Sequence, residues 1–400
     1  MSLKTIVIVI DAFRHDYLCE ENTPFLHSLT QKGRYYKKLE PSFGFCERTE
    51  ILVGEESSDL GYFTAIGFNP EQSPYKKLRP VLRLISPVFI RLPLLGQRIV
   101  KRLVWEYMSR QKNGFPPLTI PLDQLPYFAL TEDGAKSAIT DDPRSILNLV
   151  KGKGGSVNME SFTSLDSRLV GDDEYRCNKL LENIEADDDL YLLYVGDCDK
   201  FGHVLGPESG EFKKELKIVD ERLRLLYSQI KDKVGDTNFI FCGDHGMTSV
   251  TSTIDLIGEI KSYLTGFEYG KDYLIFADST VFRVWALNPV IEDELSLRVE
   301  QFFGQSSLCD LGRLTTPEKE GISSPRQYGD WLWVAKKGVV ISPDFFNPET
   351  KIIKGMHGYE LHECSYGMAI CDGPAFTPDT VKEEKLTVLY SAINSSLNFE

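Results

Sequence analysis

The chain has 400 residues, of which 42% are hydrophobic and 26% charged, and its formal net charge is −14. This length allows a large hydrophobic core. The acidic balance argues against a general nucleic-acid-binding protein, and no contact with a nucleic acid duplex is expected.

The first apolar run, residues 5–10, is too short to span a bilayer and ends at Asp11, so it is interpreted as a buried strand. No signal peptide is visible. Eight cysteines are scattered without close pairs, and Cys198, Cys242 and Cys371 lie in or beside apolar runs. Buried free thiols in a reducing cytosol explain this pattern better than disulfides do, so the protein is predicted to be cytoplasmic.

Three apolar runs along the chain end in acidic residues. Residues 5–10 lead to Asp11, residues 190–195 lead to Asp197 and Asp199, and residues 238–242 lead to Asp244. Continuous apolar runs of this length are typical of central strands covered on both faces. In such a sheet, ligands gather beyond the carboxyl ends of the strands.

Helical patterns lie between these runs. Thr23 is followed by proline and an apolar segment, which is typical of a helix start, and residues 211–230 carry apolar residues at helical spacing. The alternation predicts an α/β sandwich over residues 1–400, a single domain with a largely parallel central sheet and helices on both faces.

Two stretches interrupt this alternation. Residues 62–140 are predicted to be a basic helical insertion. Residues 250–355 are predicted to be a smaller α+β cap subdomain, with strand-like runs at 281–287 and 331–334.

The segment Lys76–Lys112 holds ten Lys or Arg residues and one acid, Glu106. One interpretation is a helical cap with solvated basic side chains. The other is a surface that attracts an anionic substrate or an anionic membrane face. The prolines at 80, 87 and 93 argue against one long amphipathic helix.

Carboxylates and imidazoles are concentrated in four short motifs, three of which lie at the ends of apolar runs. The candidate metal ligands are Asp11, Asp199, His203, Asp244, His245 and His357. Three of the chain's six histidines are in this set. Six such ligands are what a pair of zinc-like ions requires, and manganese or iron also suits them.

These motifs resemble those of the alkaline phosphatase superfamily, and most closely those of its nucleotide pyrophosphatase/phosphodiesterase branch. The resemblance rests on Val-Ile-Asp-Ala-Phe-Arg at 9–14, Asp-Lys-Phe-Gly-His at 199–203, Gly-Asp-His-Gly-Met at 243–247 and Met-His-Gly-Tyr-Glu at 356–360. It implies an alkaline-phosphatase-like fold and phosphoryl or sulfuryl transfer through a covalent enzyme intermediate.

The resemblance also divides the ligands between two divalent ions. Asp11, Asp244 and His245 would hold the ion that activates the nucleophile. The other ion, which binds the phosphoryl oxygen, would be held by Asp199, His203 and His357. Two such ions clamp the attacking and leaving oxygens.

The expected nucleophile is missing from its position. When Gly54 and Gly61 are matched to the family's glycines, Gly44 falls where the family has Thr or Ser. Three neighbours remain as nucleophile candidates, Ser42, Cys46 and Thr49.

Cys46 is preferred because the first turn of a helix and an adjacent cation lower a thiol pKa. Arg48 is predicted to bind a phosphoryl oxygen. The alternative is that Cys46 only packs and that an activated water attacks.

The leading hypothesis is therefore a metal-dependent hydrolase of phosphate esters, of the phosphodiesterase or nucleotide pyrophosphatase type. The alternatives are a transferase that moves a phospho-group such as phosphoethanolamine, a sulfatase-like hydrolase, and a metal-binding homologue without activity. The expected partner is an anionic phosphate ester, either a small molecule or a glycan or lipid head group. The sequence does not specify an oligomeric state.

Overall fold

The computed structural model describes residues 3–108, 115–131, 142–162, 171–347 and 352–397. The strands are β1 (Lys4–Ile10), β2 (Arg34–Glu40), β3 (Ile66–Phe68), β4 (Phe128–Leu130), β5 (Val157–Ser161), β6 (Leu190–Val195), β7 (Thr237–Gly243), β8 (Thr248–Ser249), β9 (Ser252–Ile254), β10 (Tyr273–Ala277), β11 (Val281–Ala286), β12 (Gly312–Thr315), β13 (Trp331–Ala335), β14 (Val339–Ile341), β15 (Gly355–Met356), β16 (Gly367–Asp372), β17 (Asp379–Val381) and β18 (Glu384–Lys385).

The described α-helices are α1 (Pro24–Leu29), α2 (Glu47–Val53), α3 (Arg79–Phe89), α4 (Leu94–Met108), α5 (Ile146–Gly152), α6 (Asp173–Asn183), α7 (Asp197–Leu205), α8 (Gly210–Val234), α9 (Leu256–Tyr263), α10 (Glu292–Phe303), α11 (Ser306–Leu311), α12 (Pro325–Tyr328) and α13 (Val388–Ser396). None of these helices has the length and hydropathy needed to cross a bilayer.

The chain forms two compact units. The first unit combines Met1–Ser57, Lys136–Ser249 and Ile353–Glu400, and the second combines Ser58–Ala135 and Val250–Ile352. The predicted insertion at 62–140 and the predicted cap at 250–355 fall largely in the second unit, although residues 132–141 lie outside the described part of the chain.

The first unit is built on an eight-stranded sheet with the order β17-β2-β16-β7-β1-β6-β5, in which β18 also pairs with β2. The central strands β5, β6, β1 and β7 are parallel, whereas β16 runs antiparallel to both β7 and β2. Ile10 is paired with Val195 and Val9 with Cys242, so β1, β6 and β7 end side by side. The three predicted central strands and the largely parallel sheet are confirmed.

Successive side chains along a strand point to opposite faces of the sheet. In this sheet, apolar residues on both faces pack against helices. Ile6, Ile8 and Ile10 pack on one face with residues of α1, α6 and α8. Val7 and Val9 pack on the other face with residues of α2, α5 and α13. The predicted α/β sandwich is therefore confirmed.

The predicted helix at residues 211–230 corresponds to α8, which covers one face of the sheet. Ser209 caps it, since its hydroxyl oxygen accepts a hydrogen bond from the Phe212 N–H at 3.0 Å. Asp220, on the buried side of α8, accepts hydrogen bonds from the Phe25 and Leu26 N–H groups at 2.9 Å each. These bonds fix the first turn of α1 and satisfy two N–H groups that a helix leaves without a partner.

The second unit contains an antiparallel sheet with the order β10-β11-β13-β12, and β11 and β13 coincide with the two predicted strand-like runs. Its helices include α3 and α4, which cover most of the basic segment. Pro80 lies in the first turn of α3 and Pro93 directly precedes α4. The segment forms two helices instead of one long helix, as predicted, with Pro93 between them, whereas Pro87 lies inside α3 without ending it. Residues 109–112, at its end, lie outside the described residues.

All eight cysteines are free. Cys198, Cys242 and Cys371 are fully buried in the first unit. The prediction of buried free thiols is thus confirmed for these three residues.

Candidate metal centre

The polar residues that follow β1 and β7 come together at the carboxyl edge of the sheet. Asp11 directly follows β1, and Asp244 directly follows β7. The Ala12 N–H donates to Oδ1 of Asp244 at 3.1 Å, and Ala12 itself has a φ of 58°. A side chain on Gly243 would place its Cβ 2.1 Å from the carbonyl oxygen of Phe13. Glycine at 243 therefore allows the two ligand-bearing segments to touch.

The first ligand group consists of Asp11, Asp244 and His245. One ligand atom from each lies within 4.8 Å of the others, and all three residues are buried. His245 Nε2 is 3.1 Å from Oδ1 of Asp11 and 3.8 Å from Oδ1 of Asp244. His245 Nδ1 lies 2.9 Å from the Gly246 carbonyl oxygen. Donation from Nδ1–H to this carbonyl leaves Nε2 free to bind a metal, as in many metal-ligating histidines.

The second ligand group consists of Asp199, His203 and His357, again with ligand atoms within 4.8 Å of one another. Asp199 and His203 are one helical turn apart on α7, and His203 Nε2 is 3.0 Å from Oδ1 of Asp199. His357 Nε2 is 3.6 Å from the same oxygen. His203 Nδ1 lies 2.7 Å from the Gly355 carbonyl oxygen, so Nε2 again faces the carboxylate.

Oδ1 of Asp199 provides a test of whether these residues fit a metal ion. Although His203 Nε2 is only 3.0 Å away, this buried oxygen has no hydrogen-bond partner among the described residues. A lone pair on Nε2 and a carboxylate oxygen repel each other unless a proton or a metal cation lies between them, and the Asp199 charge, which opposes the effect of burial, raises the pKa of His203. The donor set and its geometry thus fit a divalent cation.

The two groups are adjacent. The rings of His245 and His357 are stacked with their centroids 4.0 Å apart and their planes 15° apart. The His203 and His357 centroids are 5.4 Å apart. The structure therefore brings all six predicted ligands into one cluster in the first unit, although their role as ligands stays a prediction.

Burial and charge perturb the first group strongly. Burial raises the pKa of Asp244 to about 7, and the nearby Asp11 adds to this rise while His245 opposes it. Burial also favours a higher pKa for Asp11, but its hydrogen bond to His245 and the His245 charge outweigh burial and lower that pKa. For His245 itself, the negative charges of Asp244 and Glu47 overcome burial and raise the pKa well above its ordinary value. The group therefore attracts positive charge, which a divalent cation supplies.

The pKa of His357, whose ring is stacked on that of His245, shifts in the opposite direction. Burial lowers the pKa of His357 well below its ordinary value, and the charges of His245 and His203 lower it further. His357 is consequently neutral, which is the form that binds a metal.

Asp173 holds the start of α7 in place. Its carboxylate accepts hydrogen bonds from the Gly196 N–H at 2.8 Å and from the Asp197 N–H at 2.9 Å. Arg222 pairs with Asp197 at 2.8 Å. These contacts fix the first turn of the helix that carries Asp199, so Asp173 positions a ligand without belonging to either group.

A cavity in the first unit opens onto both groups, and we refer to it as the site cavity. It is lined by Pro41, Ser42, Phe43, Gly44, Glu47, His245, Gly246, Thr248, His357, Gly358, Tyr359, Leu361, His362, Cys364 and Ser365. Ser42 is thus at the cavity, and its N–H donates to the buried Glu50 carboxylate. Gly44 also lines the cavity and has a φ of 131°.

The other nucleophile candidates lie elsewhere. Cys46 was expected in the first turn of α2, but it is the N-cap residue, one position before the helix, and is 3% exposed. Thr49 is fully buried. Neither residue is among those that line the site cavity. The assignment of the nucleophile stays a prediction.

Arg48 lies beside the first group. Its Nη2 is 3.5 Å from Oδ2 of Asp11, and its guanidinium stacks 4.7 Å from the centroid of the Tyr194 ring. The Tyr194 hydroxyl donates to the same Asp11 oxygen. Arg48 is not one of the cavity-lining residues, so its predicted contact with a phosphoryl oxygen stays a prediction.

Sequence reasoning missed Glu47. Its carboxylate forms a third candidate ligand group with His245 and His357. A glutamate in the first turn of a helix is common because it complements the helix dipole. The sequence position of Glu47 therefore did not indicate a metal ligand. Its proximity to His245 and His357 is visible only in the folded structure.

A family model for type I phosphodiesterase / nucleotide pyrophosphatase matches residues 5–45 and 151–360. Ectonucleotide pyrophosphatase/phosphodiesterase family member 7 of Mus musculus is 26% identical over 269 residues, which cover 65% of this chain and 53% of that protein. GPI ethanolamine phosphate transferase 1 of Candida glabrata is 33% identical over 76 residues, or 18% of this chain and 8% of that protein.

Among solved structures, an inactive form of murine ectonucleotide pyrophosphatase / phosphodiesterase 5 in complex with AMP has a TM-score of 0.68. The sequence identity is 19%, and the match covers 100% of this chain and 96% of that one. The fold likeness confirms the predicted architecture. The chain spans about half the length of the member 7 relatives that it matches.

Proposed function

Because the chain belongs to the type I phosphodiesterase / nucleotide pyrophosphatase family, we propose that it is a metal-dependent hydrolase of phosphate esters. The observation that carries this proposal is the pair of adjacent three-ligand groups, Asp11/Asp244/His245 and Asp199/His203/His357, each of which contributes one histidine to the lining of the site cavity. The proposed substrate is an anionic phosphodiester or nucleotide-type pyrophosphate.

The proposed cofactor is a pair of divalent cations. Carboxylate and imidazole ligands without sulfur suit zinc, and manganese or iron fit the same set. Bound cations would polarise phosphoryl oxygens and stabilise the charge that develops on the attacking and leaving oxygens.

The chain's own residues supply the remaining parts of the reaction. The carbonyl groups of Gly246 and Gly355 fix the ring orientation of His245 and His203. Asp173 holds the first turn of α7, and the guanidinium of Arg48 offers a planar donor suited to a phosphoryl group near Asp11.

Hydrolysis of a chromogenic aryl phosphodiester tests the proposed function. We expect turnover with added Zn²⁺ or Mn²⁺, and faster turnover of the diester than of the matched aryl phosphomonoester. The absence of turnover with any divalent cation, on either ester or on a nucleoside triphosphate, would contradict the proposal.

A transferase is the second candidate function, and the partial match to an ethanolamine phosphate transferase favours carrying it. In this case the phospho-group passes to an alcohol instead of water. Added glycerol or ethanolamine would then accelerate release of the aryl group and yield a phosphorylated alcohol. If the release rate is unaffected by these acceptors and inorganic phosphate or the hydrolysed monoester is the product, the enzyme is a hydrolase.

Single substitutions at the three nucleophile candidates separate a covalent mechanism from direct attack by water. We propose Ser42 in place of Cys46 as the attacking group, because Ser42 lines the site cavity and Cys46 does not. Ser42→Ala is then expected to lower kcat by more than about 100-fold, because loss of the attacking group exceeds loss of one stabilising donor. Cys46→Ala and Thr49→Val are expected to change kcat less than Ser42→Ala does, since neither side chain lines the site cavity.

The same three variants provide their own controls. If only Cys46→Ala loses activity, the Cys46 thiol is the nucleophile. Activity close to wild type in all three would exclude the covalent candidates and leave water as the attacking group. Trapping of a phosphorylated protein by rapid acid quench, followed by mass spectrometry, distinguishes these cases directly.

We further propose that the enzyme docks on an anionic lipid surface through α3 and α4. The exposed apolar side chains on these helices, together with that of Ile90 directly after α3, are each more than half exposed: Val81, Leu84, Val88, Ile90, Leu95, Ile99, Leu103 and Tyr107. Leu95, Ile99, Leu103 and Tyr107 recur every four residues along α4 and so form one stripe. The exposed basic residues around them are Lys76, Lys77, Arg83, Arg91, Arg98 and Arg102.

An anionic membrane fits this surface better than a second copy of the chain does. A two-fold contact between copies would place one basic face against another, which is repulsive, whereas lipid head groups supply the opposite charge. Each leucine that enters the acyl boundary contributes about 1.5–3 kcal/mol, and each basic residue about 1 kcal/mol near anionic lipid.

We also propose a reducing, cytoplasmic location for the protein, which the eight free cysteines support.

Vesicle co-sedimentation tests this surface. We expect binding to phosphatidylserine-containing vesicles, little binding to phosphatidylcholine vesicles, and weaker binding as salt is raised. Replacing both Leu95 and Leu103 with glutamate is expected to lower the partition coefficient by more than 100-fold, which corresponds to about 3 kcal/mol from two leucines.

Leu297→Glu is the matched control, because Leu297 is 55% exposed on α10 and lies outside this surface. Equal loss of binding in the control and the double variant would contradict the proposal. So would light scattering that shows a dimer dissociated by the Leu95 and Leu103 substitutions, since the surface would then be an interface between copies.

A further inference from the structure

Tyr194 is an aromatic residue of β6 that contacts a candidate metal ligand but belongs to neither ligand group. It is paired with Val9 of the neighbouring strand β1. Asp11 directly follows β1, and its N–H still donates to the Val195 carbonyl oxygen at 2.9 Å. The Tyr194 hydroxyl reaches across and donates to Oδ2 of Asp11. An ionised carboxylate only accepts hydrogen bonds, so the phenol is the donor.

The two carboxylate oxygens of Asp11 have different neighbours. Oδ2 accepts the hydrogen bond from Tyr194 and lies 3.5 Å from Nη2 of Arg48. Oδ1 lies 3.1 Å from Nε2 of His245, which is the nitrogen that the first ligand group presents to a cation. A carboxylate can bind a cation through one oxygen or through both. These contacts engage Oδ2 and therefore favour binding of a cation through Oδ1.

The ring of Tyr194 has partners that define where its hydroxyl lies. Arg176 donates from Nε to the Tyr194 carbonyl oxygen at 2.8 Å, and its guanidinium lies 5.3 Å from the ring centroid. The Phe162 ring meets the Tyr194 ring edge-on, with the centroids 6.3 Å apart. Arg176 is itself paired with Asp173, which holds the start of α7. The donor to Asp11 is thus fixed from several sides.

We propose that Tyr194 is a positioning residue for the cation of the first ligand group: its hydroxyl holds Oδ2 of Asp11 and so directs Oδ1 towards the cation. This inference rests on the proposed function, because it requires that divalent cations bind. It adds to the six candidate ligands a residue that acts on a cation only through one of them.

Apolar packing accounts for the ring of Tyr194 but not for its hydroxyl. The ring packs against the cluster that contains Val7 and Val9, and a phenylalanine would supply the same apolar contacts. The hydroxyl adds the hydrogen bond to Asp11. Hydrogen bonds to a ligating carboxylate orient it for the metal, so the hydroxyl is expected to contribute to metal affinity.

Metal binding to Tyr194→Phe tests the inference without relying on turnover. The substitution keeps the ring but removes the donor to Asp11. Metal-stripped wild type is expected to bind two Mn²⁺ ions in calorimetric titration. In Tyr194→Phe, one ion is expected to bind about 10–100-fold more weakly, as is usual when an outer partner of a metal ligand is lost. The other ion is expected to bind as it does in the wild type.

His357→Ala identifies the ion that is affected. It removes a ligand of the second group and leaves Asp11, Asp244 and His245 in place. Adding Tyr194→Phe to this variant is expected to weaken the remaining ion by the same factor, about 10–100-fold. An unchanged affinity of the remaining ion would overturn the inference.

Tyr191→Phe is the matched control. Tyr191 lies on the same strand, is fully buried, and its hydroxyl donates to the Ala186 carbonyl oxygen at 2.8 Å. The control therefore removes a hydrogen-bonding hydroxyl from β6 without removing a partner of Asp11, and it is expected to bind both ions as the wild type does. Equal weakening in the control and in Tyr194→Phe would reveal a general effect on the strand and would overturn the inference.

A second substitution keeps the test available if Tyr194→Phe does not fold. p-Methylphenylalanine in place of Tyr194 fills the volume of the hydroxyl but cannot donate a hydrogen bond, and the same selective loss of affinity is expected.

Two tightly bound cations with unchanged affinities in the Tyr194 variant would overturn the role of Tyr194 alone, as would equal weakening of both ions. A wild type that binds fewer than two cations would overturn the two-cation function together with this inference.

Discussion

Asp244→Asn is expected to lower kcat/KM for phosphodiester hydrolysis by at least about 100-fold and to remove the ion of the first ligand group. Asparagine keeps the side-chain size and an oxygen that can accept the hydrogen bond from the Ala12 N–H. It does not carry the negative charge that a divalent cation requires at this buried position. Because loss of an outer-sphere partner already costs about 10–100-fold, loss of a charged direct ligand is expected to cost more.

Asp244→Asn is expected to lower activity and metal binding, but it is not expected to lower the stability of the metal-free protein. Burial and the nearby Asp11 raise the pKa of Asp244 to about 7, so the Asp244 carboxylate is costly to keep ionised in the unliganded site. A neutral amide relieves part of this cost. The metal-free variant is therefore expected to melt at or above the temperature of the metal-free wild type, as is common where function requires a strained site.

Calorimetry, elemental analysis and steady-state kinetics measure these effects on the same preparations. Asp236→Asn is the control, since Asp236 is exposed at the other end of the same strand, just before β7. Full activity with two bound cations in Asp244→Asn would show that this carboxylate is not a ligand. Equal losses in both variants would point to a general effect of charge.

The sheet and the six ligand candidates could be predicted from the sequence because both follow from local pattern. The runs before Asp11 and Asp244 are apolar except for their first residues, Thr5 and Asn238, which is typical of strands covered on both faces. Parallel strands then bring their carboxyl ends to one edge, whatever the details of the connections. Asp199 and His203 needed only the spacing of one helical turn to share a side of α7.

The residues around α2 could not be predicted in the same way. The sequence predicts Cys46 in the first turn of the helix, but the helix begins at Glu47. A shift of one residue turns a side chain by about 100° around the helix axis. Such a shift decides which side chain faces the site cavity. The sequence could not predict it, because the boundary of a short helix depends on tertiary contacts such as those of Glu50 and not on local propensity.

The second unit shows a further limit of local pattern. Its strands β11 and β13 were visible as apolar runs, but nothing in the runs indicated that residues 58–135 fold together with residues 250–352. The basic segment was evident from composition alone. Whether its apolar residues are buried or exposed depends on which helix faces find partners, and the outward stripe of α4 became apparent only from the exposure of its side chains.

Removal of divalent cations by a chelator is expected to abolish turnover and to lower the melting temperature of the protein. A ligand present at 100 times its Kd stabilises the folded state by about 2.7 kcal/mol per site, and the two ligand groups are assembled only when β1, β6 and β7 pair. The expected loss is therefore larger than that from most single substitutions.

Differential scanning calorimetry and the diester assay, run before chelation, after it and after readdition of metal, measure both effects. Zn²⁺ or Mn²⁺ is expected to restore turnover and melting temperature together, whereas Ca²⁺, which prefers six to eight oxygen ligands, is not. His357→Ala separates the two groups, because it removes a ligand from the second group only and should retain one tightly bound cation. Chelated protein that keeps its full turnover would exclude a metal-dependent reaction, and chelated protein that keeps its melting temperature would show that the cations do not stabilise the folded ligand clusters.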